Sequence, residues 1–141
     1  MNAIAYKGGY RYQLQQDLIC PALAPPDGAT IRTRFIDLTA EGWLTIRAGY
    51  AWDGPSGPTL HSPSFMRGSL IHDALYQLIR EGHLPRTHRR AADRLLYDLC
   101  RRDGMWAIRA AWVWLAVRLV GGLVLRHAAN PIRYAPEGRP T

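Results

Sequence analysis

Apolar and polar residues alternate with a period of two over much of the first 50 residues, as in half-buried strands. The alternation is clearest over residues 10–14 and 30–38. Turn residues follow at 39–42, and residues 43–46 resume the alternation, which is the pattern of a β-hairpin. We expect strands in these three segments and a loop over the proline-rich residues 21–28.

After residue 68 the apolar residues recur at the helical spacing of three to four. The first helix is predicted to begin at Ser69 as its N-cap and to end near Gly82. A second is predicted to open at residues 85–87 and to end just before Gly104, and a third is predicted over the Trp-rich segment that ends around residues 121–122. Strands followed by three helices predict an α+β fold with an N-terminal antiparallel sheet.

Residues 49–68 connect the two halves and contain four glycines, three prolines and three serines. This composition predicts a long loop, and loops of that length in compact domains are usually functional or disordered. The length of 141 residues fits one domain, which we place at 1–129. The three prolines after residue 129 predict an extended tail over 130–141.

The composition limits the class of protein. With 48% hydrophobic and 21% charged residues, the chain is globular in composition. Two cysteines without a CxxC pair make a disulfide framework or a cysteine zinc site unexpected. The N-terminus lacks the apolar segment of a signal peptide, so we expect synthesis in the cytoplasm.

Residues 105–125 are strongly apolar, but Arg109 and Arg118 interrupt them, which disfavours a membrane-spanning helix. We expect a buried amphipathic helix, and the alternative is a helix lying on a membrane or partner surface. Three tryptophans in this segment, Trp106, Trp112 and Trp114, and the proline-rich tail suggest more apolar surface than a monomer of this size needs, so we expect a protein partner or self-association.

The net charge of +7 permits attraction to nucleic acid, anionic lipid or an acidic partner. The arginines of residues 86–102 are interleaved with Asp93, Asp98 and Asp103, as on an ordinary solvated helix face. Nucleic-acid binding is therefore the weakest of the functions considered.

The candidate chemistry begins with His72 and Tyr76, which lie one turn apart on the same edge of the first helix. Helices joined by a short connection pack antiparallel, so Asp93 of the second helix can approach His72. A carboxylate in that place would orient the imidazole as a general base. Pairing of Asp93 with Arg89 or Arg90 is an equal alternative.

The loop residues Asp53, Gly54, Ser56 and Gly57 offer small side chains and accessible carbonyls, which suit a hard cation or an oxyanion. Together with the carboxylates of Asp73 and Asp93, this loop with Asp53 offers oxygen ligands for calcium. Zinc is the competing metal because four histidines are near in sequence, although their spacing matches no zinc motif. These histidines are His61, His72, His83 and His88.

Four motifs occur in order between residues 48 and 121: D-x-x-S-x-P at 53–58, HDxxY at 72–76, AD at 92–93 and VRLxG at 117–121. The combination resembles a family of uncharacterised phage and prophage proteins known only as a domain of unknown function. That resemblance implies a phage or prophage origin and no particular activity.

The HDxxY motif after a glycine-rich loop is also similar to the phospholipases A2, the parvoviral type in particular. The resemblance implies that His72 activates water, Asp73 binds calcium, Tyr76 braces the site and Asp93 orients the histidine. The loop at 52–57 would stand in the place of the calcium loop. It lacks the second glycine in register, and no disulfides support the helices.

Two functions remain open on these residues. One is a phage-encoded, virion- or tail-associated hydrolase, assisted by calcium and acting on an ester, lipid or cell-wall bond. The other is a non-catalytic tail, baseplate or assembly component in which the same side chains form a structural polar network. Expected partners are other phage structural proteins or a second copy, with a membrane or cell envelope as the substrate surface.

Overall fold

The computed structural model describes residues 6–7, 12–52 and 63–126, with strands first and helices second. This order confirms the predicted α+β fold. The strands lie in one compact unit and the helices in another. The single domain at 1–129 stays a prediction, and the proposed tail at 130–141 lies outside the described residues.

The strand unit contains two antiparallel sheets, ordered β1-β2-β7 and β3-β6-β5-β4. Its strands in chain order are β1 (Tyr6–Lys7), β2 (Tyr12–Leu14), β3 (Leu18–Pro21), β4 (Ile31–Arg32), β5 (Ile36–Leu38), β6 (Trp43–Ile46) and β7 (Ala51–Trp52). In the second sheet Ile36 lies opposite Ile46, and Leu38 lies opposite Leu44. All four side chains are buried, so the predicted alternation separates a core face from a polar face.

One strand prediction was wrong: residues 30–38 form two strands, β4 and β5, instead of one. The Thr33 amide donates to the Ile36 carbonyl at 2.9 Å, and the Ile36 amide donates to the Thr33 hydroxyl at 3.0 Å. These bonds close a tight turn that reverses the chain between the strands. The predicted turn at 39–42 is confirmed, since the Gly42 amide donates to the Thr39 carbonyl at 2.9 Å.

The helical unit contains α1 (Pro63–Arg80), α2 (Arg89–Arg102) and α3 (Ala107–Arg126). Helix α1 begins six residues earlier than predicted, so the last part of the expected loop is helical. Ser69 is not an N-cap: its hydroxyl donates to the Met66 carbonyl at 2.9 Å inside the helix. Proline is tolerated at the first position of a helix, here residue 63, because the amide of that position has no hydrogen-bond partner within the helix.

Gly82 and Gly104 end α1 and α2, as their positions in the sequence predicted. Both have positive φ, +82° and +97°. The His83 amide donates to the Leu78 carbonyl, and the Met105 amide to the Cys100 carbonyl, both at 2.9 Å. This is the Schellman pattern, which satisfies the last carbonyls of a helix.

Helix α3 runs past its predicted end at 121–122, and among its described side chains, residues 107–119, the buried ones lie on one side. Ala110 and Val113 are buried, while Trp106 and Trp112 are exposed. The expected buried helix is therefore corrected to one with a large exposed face. Among the described residues, no helix combines the length and apolar character needed to cross a membrane.

Gly68 allows α1 and α2 to approach closely. A Cβ atom there would lie 3.0 Å from Leu96 Cδ1 and 3.2 Å from Cys100 Sγ, both buried atoms of α2. Near the same contact, Arg67 of α1 donates to both carboxylate oxygens of Asp103, at 3.0 and 2.5 Å. This close packing of α1 on α2 brings polar side chains of the two helices within hydrogen-bonding distance of one another.

Candidate functional site

His72 and Tyr76 project from the same side of α1, because residues four apart are neighbours on a helix. Their ring centroids are 4.1 Å apart. His72 is only 7% exposed, and Tyr76 is also buried. Both polar groups therefore need partners within the protein.

Asp93 of α2 is that partner, and it is fully buried. Its Oδ1 lies 2.7 Å from His72 Nε2 and accepts the Tyr76 hydroxyl at 2.5 Å. Its Oδ2 accepts Arg118 Nη1 of α3 at 3.0 Å. The approach of His72 to Asp93 expected from the sequence is present, and the carboxylate joins all three helices.

Arg89 adds a second link between the helices. Its Nε donates to the Tyr76 hydroxyl at 3.2 Å and lies 3.9 Å from Asp93 Oδ2. Its Nη2 donates to the carbonyl of Val117 at 3.1 Å and to that of Arg118. The two alternatives for Asp93 are thus both realised in part, since the carboxylate contacts the histidine directly and Arg89 at longer range.

These contacts shift the pKa values of His72, Asp93 and Tyr76. Burial acts to lower the pKa of His72, but the carboxylates of Asp73 and Asp93 outweigh it and raise that pKa. Burial acts to raise the pKa of Asp93, but hydrogen bonds from His72 and Tyr76, with Arg118, lower it. Burial and the Asp93 charge raise the pKa of Tyr76, which stays a neutral donor.

The second ring nitrogen of His72 faces Asp73. His72 Nδ1 lies 3.9 Å from Asp73 Oδ1, which is too long for a hydrogen bond and close enough for an electrostatic interaction. The Asp73 side chain is 41% exposed, in contrast to Asp93. His72 therefore has one nitrogen fixed by a buried carboxylate and the other directed toward a carboxylate that solvent can reach.

The metal predictions depend largely on residues that the structure does not describe. Asp53, Gly54, Ser56 and Gly57 lie in the undescribed segment 53–62, as does His61. Within the described part of the chain, no three His, Cys, Asp or Glu side chains are grouped to hold a metal. Calcium and zinc stay predictions, and of the two predicted calcium ligands, Asp53 and Asp73, the structure describes Asp73.

The paired charges predict how stability depends on pH. Folding raises the pKa of His72 above its ordinary 6.5. The imidazolium therefore stabilises the folded protein fully below pH 6.5. This stabilisation is lost as the pH rises through the raised pKa of the folded state. The unfolding free energy of the wild type minus that of His72→Gln should be largest below about pH 6 and should shrink as the pH rises through the raised pKa of His72. Urea titrations of both proteins across this range measure it, and a constant difference would contradict the ion pair.

Sequence reasoning missed Arg118 as a partner of Asp93 and Arg89 as a partner of Tyr76. A signal for Arg118 was present, because a charge that interrupts an apolar helix needs an internal partner or solvent. Which acid it would meet could not be read from the sequence, since that depends on how α3 crosses α2.

A sequence model of the family described as "Protein of unknown function (DUF1353)" matches residues 31–117. This match covers more than half of the chain. The chain belongs to the DUF1353 family. The matched segment includes every residue of the candidate site discussed above except Arg118, which directly follows the last matched residue. No curated protein and no solved structure matches the chain.

Proposed function

We propose that this DUF1353 protein is a phage- or prophage-encoded, virion-associated hydrolase that uses calcium and cleaves an ester of the phospholipid type. The observation that carries the proposal is the state of His72. Its Nε2 is held at 2.7 Å by the buried Asp93, while its Nδ1 faces the half-exposed Asp73. The order of groups is the one implied by the resemblance to the phospholipases A2.

In the proposed reaction the neutral His72 ring takes a proton from water at Nδ1, and the resulting hydroxide attacks the ester carbonyl. Asp93 stabilises the imidazolium that forms, in keeping with the raised pKa of His72. Tyr76 and Arg118 hold both oxygens of Asp93 in place, so the ring keeps its orientation. The protonated Nδ1 then returns the proton to the leaving alkoxide.

Asp73 suits a calcium ion because its carboxylate is the hard oxygen donor that calcium prefers and is open to solvent. Asp53 as a second carboxylate ligand, with Gly54, Ser56 and Gly57 as the oxyanion loop, stays a prediction from the sequence, because these residues lie outside the described part of the chain. When bound, calcium supplies positive charge that stabilises the oxyanion of an ester under attack.

A second candidate function is favoured by the burial of Asp93. A carboxylate with no exposed surface, bonded from three helices, is also what a purely structural network requires. In that case the protein is a non-catalytic tail, baseplate or assembly component. The two candidates differ in what a substitution of His72 should do. A catalytic His72 can be replaced with loss of hydrolysis and little loss of stability, whereas a structural His72 cannot be replaced without loss of stability.

The phage origin and the virion location are supported by the order of the four sequence motifs and not by the geometry of the site. Mass spectrometry of purified, nuclease-treated particles from a strain that encodes the chain tests the location. Stoichiometric amounts relative to a tail protein are expected. Detection only in the lysate would reject the virion location and leave the hydrolase proposal in place.

Calcium binding is tested by replacing Asp73 with Asn. Because a ligand that binds only the folded state stabilises it by about 2.7 kcal/mol at 100 times its Kd, calcium should raise the Tm of the wild type. The Asp73→Asn protein should melt at nearly the wild-type temperature in EDTA and should lose the calcium-dependent rise.

Asp98→Asn is the matched control, since the Asp98 side chain is also 41% exposed and lies on a helix. It should keep the full response to calcium. A response of Asp73→Asn equal to that of the wild type, or loss of the response in both variants, would reject Asp73 as the ligand.

A further inference from the structure

The outer face of α3 carries a row of large apolar side chains that the helical unit does not cover. Ile108, Trp112, Leu115 and Leu119 are spaced four, three and four residues apart, so they line one side of the helix. Trp106 immediately precedes the helix and is 82% exposed, and Trp112 is 67% exposed. We call these five residues the α3 outer face.

This face is not the packing surface of the helix. The opposite side of α3 contributes Ala110 and Val113 to a core cluster with Leu96 and Cys100 of α2. The outer face is therefore additional apolar surface that folding of the helical unit leaves uncovered.

The size of the outer face is unusual for a monomer. A Trp side chain offers roughly 150–250 Å², so the two exposed tryptophans alone present on the order of 300 Å². Ile108, Leu115 and Leu119 enlarge it, and Leu119 is 69% exposed. The largest apolar patch on a typical monomer is about 300–600 Å², and patches of this size mark interaction sites.

The charged residues of α3 are all positive. The sequence of α3 contains three arginines and no acidic residue. Residues 63–126 contain eleven arginines and five Asp or Glu, a net charge of +6. At 100° per residue, Arg109 falls at one border of the apolar row and Arg118 at the other, where Arg118 also donates to Asp93. A helix with Trp and Leu on one face and arginines beside it is the kind that lies in the interface of a membrane.

We propose that the α3 outer face binds the surface of anionic phospholipid membranes, with the helix parallel to the surface. A second copy of the chain fits the same face less well, because two strongly positive helical units would repel each other. An anionic lipid surface supplies the opposite charge, and tryptophan prefers the boundary between water and hydrocarbon. The inference deepens the proposed function by naming the surface on which its ester substrate would lie.

Vesicle binding tests this proposal without any hydrolysis. The full chain is sedimented in EDTA with vesicles of ether-linked phosphatidylcholine, with or without about one third phosphatidylglycerol. Each basic residue near an anionic surface raises binding by about fivefold, so two or more of them should make the anionic vesicles bind at least about tenfold more protein. The double variant Ile108→Glu/Trp112→Glu should lose at least about tenfold of that binding, since it places two acids in the apolar row.

Trp43→Ser is the control, because Trp43 is an exposed tryptophan of the strand unit, and it should bind as the wild type does. Light scattering of the same proteins tests the second-copy alternative. Equal binding to both kinds of vesicle, an equal loss in the Trp43 variant, or a stable dimer that the double variant dissociates would overturn the proposal. Because hydrolysis is absent from the assay, a failure here is distinct from a failure of the hydrolase proposal.

Discussion

Asp93→Ala should cost about 3–5 kcal/mol of unfolding free energy, because removing one partner of a buried charged network leaves the others uncompensated. The substitution would leave the buried His72 and Tyr76 without the carboxylate that accepts from both. Arg118 would lose its contact as well. Urea denaturation followed by the helical circular dichroism signal measures the loss.

Asp93→Asn separates charge from shape, since the amide oxygen can still accept one of these bonds. It should cost about 1–3 kcal/mol, less than the alanine variant. If Asp93→Ala fails to fold, the asparagine variant carries the test. Asp98→Ala, at an exposed site, should change stability by about 0.5 kcal/mol or less. If Asp93→Ala has the same unfolding free energy as the Asp98→Ala control, the network around Asp93 does not stabilise the fold.

The parts of the fold that could be predicted were those with local physical causes. The turn at 39–42 and the helix ends at Gly82 and Gly104 depend on residues that adopt particular backbone angles, and all three were predicted. The start of α1 was missed because Pro63 and Gly68 were taken as loop residues. Gly68 is instead a contact between two helices, and that role is not visible in the sequence.

The same distinction applies to the site. The approach of His72 and Asp93 follows from helix periodicity and a short connection, which are features of the sequence. The contribution of Arg118 depends on the crossing of α3 over α2, which no periodicity specifies. The full burial of Asp93 was also missed, since the arginines that alternate with it in the sequence are typical of a solvated helix face.

His72→Gln should abolish hydrolysis while leaving the fold nearly unchanged. The glutamine amide can donate to Asp93 in place of Nε2, but it cannot take a proton from water. General bases contribute about 10²–10⁴ in rate, so at least a 100-fold fall is expected. The Tm should change little at a pH above the raised pKa of His72, where the imidazole is uncharged. The control His83→Gln replaces a histidine whose side chain is 41% exposed, and it should keep full activity.

The most direct test is fatty-acid release from phosphatidylglycerol vesicles, measured for the wild type and His72→Gln with calcium and again with EDTA. The account predicts release by the wild type in calcium, background release in EDTA, and background release by the His72 variant in both. Release by His72→Gln at the wild-type rate would contradict the role given to His72. No release by a folded wild type that binds both calcium and the vesicles would reject phospholipid hydrolysis and favour the structural network.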